Sequence, residues 1–194
     1  LEELYEPYVG KELTIGGLEK MLKNHKEILT IHFEKKLGKD SHKTGKNLLI
    51  FTASAYSIKR VIEADKKDIV GGSTIELLGL EEYRKITRKF AGIEHPISFH
   101  GVIDRIDRKD GVLRILDYKT GKTEPKELRP KEITDCLFDA AFSKSFQVMF
   151  YSMLWSEDNQ STLFKAGVIS VKNMSAGVLY LTLGTDTKRT DLYT

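Results

Sequence analysis

Asp104, Asp117 and Lys119 are the residues of this sequence whose types and spacing could do chemistry. Two carboxylates supply hard oxygen ligands, which suit magnesium or manganese, whereas zinc favours histidine and cysteine. An ammonium group beside such an ion could hold or help polarise an attacking water and stabilise charge on a phosphate. The three residues therefore outline a metal site, provided that the fold brings them together.

A β-hairpin would bring them together. The Asp110-Gly111 pair is flanked by β-branched and aliphatic residues, and it favours a type I′ turn because that turn needs positive φ at both central positions. The register that follows contains these facing pairs: Lys109 with Val112, Asp107 with Arg114, Ile106 with Ile115, and Asp104 with Asp117.

Asp104 and Asp117 form the one repulsive pair of this register. Facing residues lie about 5 Å apart at Cβ, and like charges at that distance destabilise a sheet unless a cation neutralises them. The period of two in a strand places Lys119 on the same face as Asp117. The alternative is a surface hairpin whose carboxylates are solvated and too far apart to interact.

Three motifs in order resemble the PD-(D/E)XK nucleases, in particular the RecB/AddB-like branch that is attached to helicases. They are Gly-x-x-Asp at Gly101 to Asp104, Asp-Tyr-Lys-Thr-Gly from Asp117, and Gln-x-x-x-Tyr at Gln147 to Tyr151. The resemblance covers roughly residues 1–183. It implies an α/β fold with a restriction-endonuclease-like core, in which a central mixed β-sheet is flanked by helices.

The resemblance also implies roles for these residues. Asp104 and Asp117 would bind Mg²⁺ or Mn²⁺ together with the main-chain carbonyl of Tyr118, and Lys119 would serve the water or the scissile phosphate. Gln147 and Tyr151, one helical turn apart, would line the site and either touch DNA or position the core. The alternative for this last pair is a polar helix edge with a half-buried tyrosine.

Basic residues near the hairpin have two interpretations. Arg105 and Arg108 are either phosphate contacts or charges on the sheet surface, and the resemblance also allows Arg105 to support the site. Lys122 belongs to a cationic stretch, residues 118–131, which either guides the DNA backbone or is a solvated loop. Asp107 is explained structurally, through its pairing with Arg114.

The resemblance points to one ligand outside the sequence. In the RecB/AddB-like branch the first ligand is a histidine on a helix, and Leu1-Glu2 looks like the continuation of that helix. None of the five histidines has the matching context: His25, His32, His42, His95 and His100. We therefore expect a fragment of a longer protein that is weakly active or inactive as it stands.

Composition limits the other classes of function. The 194 residues allow one sizeable core, and 31 basic against 28 acidic residues exclude a general nucleic-acid-binding surface. The single cysteine, Cys136, excludes an internal disulfide and a four-cysteine iron-sulfur cluster, and it agrees with a cytoplasmic location. We expect no membrane span and no bound nucleotide, because long apolar runs and phosphate-binding loops are missing from the sequence.

Hydrophobic spacing predicts the other elements. Two helices carry the core stripes Leu18, Met21, Leu22, Ile28, Leu29, Phe33 and Leu48, Leu49, Thr52, Tyr56, Ile62. Residues 74–80 are β-prone, and residues 82–90 fit a helix or a strand; the resemblance favours a strand. We expect later helices at 131–138 and around Gln147, the second ending at about Trp155, strands at 164–171 and 178–183, and a turn at 173–177. Residues 185–194 are expected to be a frayed tail of a single nuclease domain over residues 1–194.

The predicted function is metal-dependent hydrolysis of DNA phosphodiester bonds. The module would be the exonuclease of a helicase-nuclease system in repair or recombination, with DNA and a helicase region or partner subunit as its partners. One alternative is a DNA-binding or scaffolding module that has the nuclease fold and does not cut. Another is a structural domain with an accidental hairpin.

Overall fold

The computed structural model describes residues 1–157, 163–185 and 188–191. The chain divides into two compact units, Leu1–Leu77 and Leu78–Thr194. The expectation that residues 1–194 act as one nuclease domain stays a prediction. Within the described ranges, no helix is both long and apolar enough to cross a membrane.

Helices dominate the first unit. Its helices are α1 (Glu2–Tyr5), α2 (Ile15–Leu37) and α3 (Gly45–Val70), with 3-10 turns at Glu6–Tyr8 and Ser41–Lys43. The short strand β1 (Lys11–Glu12) pairs antiparallel with the start of β2 (Ile75–Arg88). Helix α2 begins at Thr14, whose hydroxyl accepts a hydrogen bond from the Gly17 N–H at 3.1 Å, and this cap fixes where the helix starts.

The two predicted stripes of the first unit differ in outcome. Leu18 and Met21 of the first stripe are buried, as expected. In the second stripe Ile62 is buried, as expected, but Leu49 is 71% exposed and Tyr56 is 61% exposed, so the prediction is wrong for that part of the stripe. The buried face of α3 also includes Ala55 and Asp65, which the predicted stripe does not contain.

The second unit is built on a mixed sheet. The strand β2 is followed by β3 (Ile97–Lys109), β4 (Val112–Lys119), β5 (Phe164–Ser170) and β6 (Val178–Tyr180), which lie in that order. Strands β4 and β5 are parallel, whereas β3 with β4 and β5 with β6 are antiparallel. Strand β2 is one continuous strand that ends at Arg88, which confirms the strand interpretation for residues 82–88 of the predicted 82–90.

Helices accompany the strands of this unit. They are α4 (Ile133–Phe138), α5 (Ser143–Ser156) and 3-10 turns at Pro125–Leu128, Ala140–Phe142 and Val171–Ala176. Both α-helices lie where the sequence predicts them. Together with the sheet they confirm the expected α/β fold, a central mixed β-sheet flanked by helices. Strand β4 lies between β3 and β5, and most of its residues are buried.

The β3–β4 hairpin has the predicted register. Asp110 and Gly111 have φ values of 51° and 82°, as a type I′ turn requires. The pairing runs from Lys109 and Val112 to Arg105 and Leu116. Asp104 and Asp117 come directly after the last of these pairs.

The C-terminal segment differs from the expectation. The predicted strand at 178–183 is interrupted at Leu181, after which β7 (Thr182–Thr185) pairs antiparallel with β8 (Lys188–Asp191). The prediction of a frayed tail is wrong for these backbone segments, because pairing between the strands gives them a partner. Residues 186–187 and 192–194 of the predicted tail lie outside the described residues.

Candidate active site

The open end of the β3–β4 hairpin holds two carboxylates. Asp104 Oδ2 accepts a hydrogen bond from the Tyr118 main-chain N–H at 2.8 Å. Asp117 is only 2% exposed on the central strand β4. The two carboxylates interact electrostatically, since the charge of Asp104 contributes to the raised pKa of Asp117. The fold therefore brings both acids to the same end of the hairpin, and their role as metal ligands stays a prediction.

Burial is the main influence on both carboxyl groups. Burial raises the pKa of Asp104, and the Tyr118 N–H and the Lys119 charge do not offset it. Burial likewise raises the pKa of Asp117; Lys119 opposes this rise and Asp104 adds to it. Each ionised carboxylate is thus disfavoured in its surroundings, and a bound cation would relieve that cost.

Lys119 is held by two neighbours. Its Nζ lies 2.7 Å from Asp117 Oδ2 and donates a hydrogen bond to Gln147 Oε1 at 2.6 Å. The Gln147 Nε2 in turn donates to the Tyr151 hydroxyl at 2.8 Å. The Gln-x-x-x-Tyr motif of α5 is therefore linked to the lysine of β4 by a chain of hydrogen bonds. The motif had predicted that these residues line the site, but not that they hold the lysine.

A glycine lets α5 come close to β3. A Cβ at Gly101 would lie 3.2 Å from Tyr151 Cε1 and 3.2 Å from Leu154 Cδ1, tighter than ordinary van der Waals contact. In the sequence, Gly101 stands out only as the first residue of the Gly-x-x-Asp motif. Its signal was a glycine inside a strand, which often marks a close approach by another part of the chain.

The segment after Lys119 is pinned to the neighbouring strand. Ser170, the last residue of β5, pairs with Lys119 in the parallel ladder. Its hydroxyl donates to the Gly121 carbonyl at 2.9 Å and accepts from the Thr123 N–H at 3.1 Å. Ser170 and Thr123 are both buried, so the backbone that leaves the site is fixed. Sequence reasoning missed this role of Ser170.

The opposite face of the hairpin carries a second set of charges. Asp107 Oδ1 accepts from Arg114 Nε at 2.6 Å, and Asp107 Oδ2 accepts from Arg105 Nε at 2.6 Å. Burial alone would raise the pKa of Asp107, but the charges and hydrogen bonds of Arg105 and Arg114 outweigh it and lower the pKa. The predicted pairing of Asp107 with Arg114 is confirmed.

Arg105 requires a correction. Its side chain is 0% exposed, so it cannot reach a DNA phosphate and is not a charge on the sheet surface. The phosphate-contact and surface-charge interpretations are therefore wrong for this residue. Ile103, Arg105 and Ile106 are all buried, so this stretch of β3 is covered on both faces, which the alternation of polar and apolar residues in the sequence concealed.

Lys122 lies in the loop beyond the site. Its side chain is 66% exposed and forms an ion pair with Glu124 at 3.0 Å, and Lys126 contacts the same glutamate at 3.1 Å. Glu124 thus neutralises part of the predicted cationic stretch. Contact of Lys122 with DNA stays a prediction.

The histidines have other surroundings. The buried His25 hydrogen-bonds to the Leu22 carbonyl at 2.7 Å, and His32 contacts Glu3 at 2.5 Å. His95 and His100 are exposed. Among the residues that the structure describes, no group of three histidines, cysteines or acidic residues is arranged to hold a metal.

Comparison with known families assigns the chain to a superfamily. The family model of the PD-(D/E)XK nuclease superfamily matches residues 1–192. The chain belongs to this superfamily. A search of the curated proteins found no match. As a PD-(D/E)XK protein it is a metal-dependent nuclease by family, and DNA is the substrate that this family implies.

The donors of this PD-(D/E)XK site fit a hard divalent cation. Asp117 Oδ2 is buried, and within the described residues its only neighbouring partner is the ion-paired Lys119 ammonium. Two carboxylates suit an ion that keeps several of its waters, as Mg²⁺ does, rather than one that is fully enclosed by protein. Such an ion, when bound, acts as a Lewis acid on a phosphate oxygen and lowers the pKa of a bound water.

Proposed function

We propose that this protein hydrolyses DNA phosphodiester bonds with Mg²⁺ or Mn²⁺, using Asp104 and Asp117 as metal ligands and Lys119 at the reacting water or phosphate. The observation that carries the proposal is the charge balance at the end of the hairpin. Among the residues that the structure describes, two carboxyls of raised pKa share one ammonium group, that of Lys119. A site with this imbalance attracts a cation, and family membership supplies the reaction.

The backbone of Tyr118 supports its assignment as a third ligand. The N–H and C=O of one strand residue point to the same lateral side, because a hydrogen-bonded antiparallel pair exchanges both bonds. The Tyr118 N–H points at Asp104. We therefore expect the Tyr118 carbonyl to lie on the Asp104 side as well, where it would complete a set of three oxygen ligands.

Lys119 is prepared for its role by its neighbours. The Gln147 carbonyl oxygen can only accept a hydrogen bond from the ammonium group, so this contact orients Lys119 without neutralising it. An oriented cation costs little reorganisation when negative charge develops on a phosphate. Gln147 and Tyr151 then act as positioning residues, and their exposed edges would also be available to DNA.

We further propose that the protein belongs to the RecB/AddB-like branch and acts as the exonuclease module of a helicase-nuclease system in DNA repair or recombination. The support is the Gln-x-x-x-Tyr motif, whose two side chains are joined to each other and to Lys119. A helicase region or partner subunit would deliver the DNA strand. The buried single cysteine, Cys136, agrees with a cytoplasmic location.

The test compares Lys119→Met with Lys109→Met on linear DNA in the presence of Mg²⁺ or Mn²⁺. Lys109 lies at the turn end of the same hairpin and serves as the matched control. We expect Lys119→Met to lower the cleavage rate by at least about a hundredfold and Lys109→Met to leave it unchanged. Equal rates for the two variants would contradict the role of Lys119.

The same assay separates the alternative functions. Cleavage of linear but not of covalently closed circular DNA would support an exonuclease. Metal-dependent cleavage of both would indicate an endonuclease and contradict the exonuclease module. Tight binding of DNA without cleavage by the intact protein, at any metal concentration, would favour the DNA-binding or scaffolding module instead.

A further inference from the structure

Tyr118 links the two faces of the β3–β4 hairpin. Its main-chain N–H donates to Asp104 Oδ2 at 2.8 Å, and its hydroxyl accepts a hydrogen bond from Arg105 Nη1 at 3.0 Å. Asp104 and Arg105 are neighbours in β3, so their side chains project to opposite faces of the sheet. One residue therefore contacts the candidate site with its backbone and the buried charge network with its side chain.

The charge network is firmly anchored. Arg105 and Asp107 are 0% exposed, and Arg114 is 4% exposed. Asp107 binds both guanidinium groups, and its Oδ2 also accepts from Arg114 Nη2 at 2.8 Å. Buried charges persist only when they are paired with good geometry, so these side chains have little freedom to move.

The network has a symmetric feature that provides a control. Two arginines share one carboxylate, and each arginine also meets a tyrosine hydroxyl. Arg105 donates to Tyr118 at 3.0 Å, and Arg114 Nη1 lies 3.5 Å from the hydroxyl of Tyr180. Tyr180 lies on β6 and has no described link to the carboxylates of the site. The two tyrosines thus share one chemistry, but only Tyr118 belongs to the site.

We infer that Arg105 is a positioning residue for the metal site, which it reaches through Tyr118 from the opposite face of the sheet. The guanidinium fixes the phenol, the phenol fixes the main chain of residue 118, and that main chain fixes Asp104 and presents its own carbonyl. This inference rests on the proposed function, because it assigns the support of the same ligand set. Such supporting contacts commonly change metal affinity by tenfold or more when they are lost.

The experiment compares Tyr118→Phe with Tyr180→Phe, each of which removes one hydroxyl from the same network. In the metal-free protein, amide hydrogen exchange at residue 118 is measured by NMR. We expect exchange to become about tenfold faster in Tyr118→Phe and to stay unchanged in Tyr180→Phe. Equal exchange at this amide in both variants and the original protein would overturn the inference.

A calorimetric titration with Mn²⁺ alone gives the second measurement. Tyr118→Phe should weaken Mn²⁺ binding by about tenfold, whereas Tyr180→Phe should not weaken it. Arg105→Lys should weaken binding in the original protein and add nothing in the Tyr118→Phe background, because both changes break one link. Additive effects of the two changes would show that Arg105 does not act through Tyr118.

Asp104→Asn in the same titration separates the inference from the proposed function. If Asp104→Asn binds Mn²⁺ as tightly as the original protein, the ligand set of the proposed function is wrong. The amide exchange of the metal-free Tyr118→Phe protein still decides whether Arg105 positions residue 118. If Asp104→Asn loses Mn²⁺ and Tyr118→Phe keeps it, the ligand set holds and the positioning role fails.

Discussion

The two faces of one hairpin carry opposite charge imbalances. On one face a single carboxylate, Asp107, is shared by Arg105 and Arg114. On the other face two carboxylates, Asp104 and Asp117, have Lys119 as their cation. In the first set two guanidinium groups surround one carboxylate, and the pKa of Asp107 is lowered. In the second set two buried carboxylates share one ammonium group, and the pKa of both acids is raised. The same strands therefore build a structural charge network on one face and a site that favours a bound cation on the other.

The largest expected effect is at Asp117, on the face of the two carboxylates. Asp117→Asn should lower metal-dependent DNA cleavage by roughly a thousandfold, since a ligand is lost. The free energy of unfolding of the metal-free variant should stay the same or rise, because a buried carboxylate is no longer ionised and the repulsion with Asp104 is relieved. Cleavage rates and urea unfolding check the two statements. Cleavage at the original rate would exclude Asp117 as a ligand.

The next largest effect is expected at Asp107, on the face of the two arginines. Asp107→Asn leaves two buried guanidinium groups without their anion, so the free energy of unfolding should fall by about 3–5 kcal/mol. Urea denaturation of the metal-free protein measures this loss. If Asp107→Asn, like Asp117→Asn, kept the free energy of unfolding of the original protein, the distinction between the two faces would be removed.

A smaller effect concerns how each cation is held. Lys119 is oriented by the neutral Gln147, whereas the arginines are held by an anion. Gln147→Leu should therefore lower the rate constant for cleavage about tenfold with little change in stability. Tyr151→Phe, one step further along the chain of hydrogen bonds, should have a weaker effect. A larger loss for Tyr151→Phe than for Gln147→Leu would show that Tyr151 acts independently of Lys119.

The smallest effects are in the pH dependence of stability, and the two faces should differ in sign. The lowered pKa of Asp107 means that its stabilisation is present above the ordinary carboxyl pKa of about 3.9 and is lost as the pH falls through the native value. The raised pKa values of Asp104 and Asp117 mean that their stabilisation is greatest below the ordinary pKa and is lost as the pH rises through the native values.

Unfolding of the metal-free protein and its two Asn variants, measured from about pH 3 to pH 7, checks these signs. The deficit of Asp107→Asn relative to the original protein should grow as the pH rises from 3. Any advantage of Asp117→Asn should also appear as the pH rises, because only the original protein then carries the unfavourable charge. Parallel pH profiles for all three proteins would contradict the assignment of opposite shifts.

Local sequence determined much of the hairpin and its chemistry. Asp110-Gly111 determines the turn because few other residues adopt positive φ there, and the turn sets the register that aligns Asp107 with Arg114 and brings Asp104 to Asp117. The Gln147 and Tyr151 spacing places both side chains on one helical face. These features depend on neighbours in the chain, so they could be predicted from the sequence together with the family resemblance.

Tertiary structure decided the features that depend on distant segments. Burial of Arg105, contact of Gln147 with Lys119, and the close approach of α5 at Gly101 follow from how sheet and helix pack. The exposure of Leu49 in α3 has the same origin, since a helical pattern does not tell which side meets a partner. Local spacing thus placed the carboxylates at one end of the hairpin. Only the packing of both sheet faces paired Asp107 with buried arginines and left Asp104 and Asp117 with too little positive charge around them. Burial and charges from other segments set the pKa values of these acids.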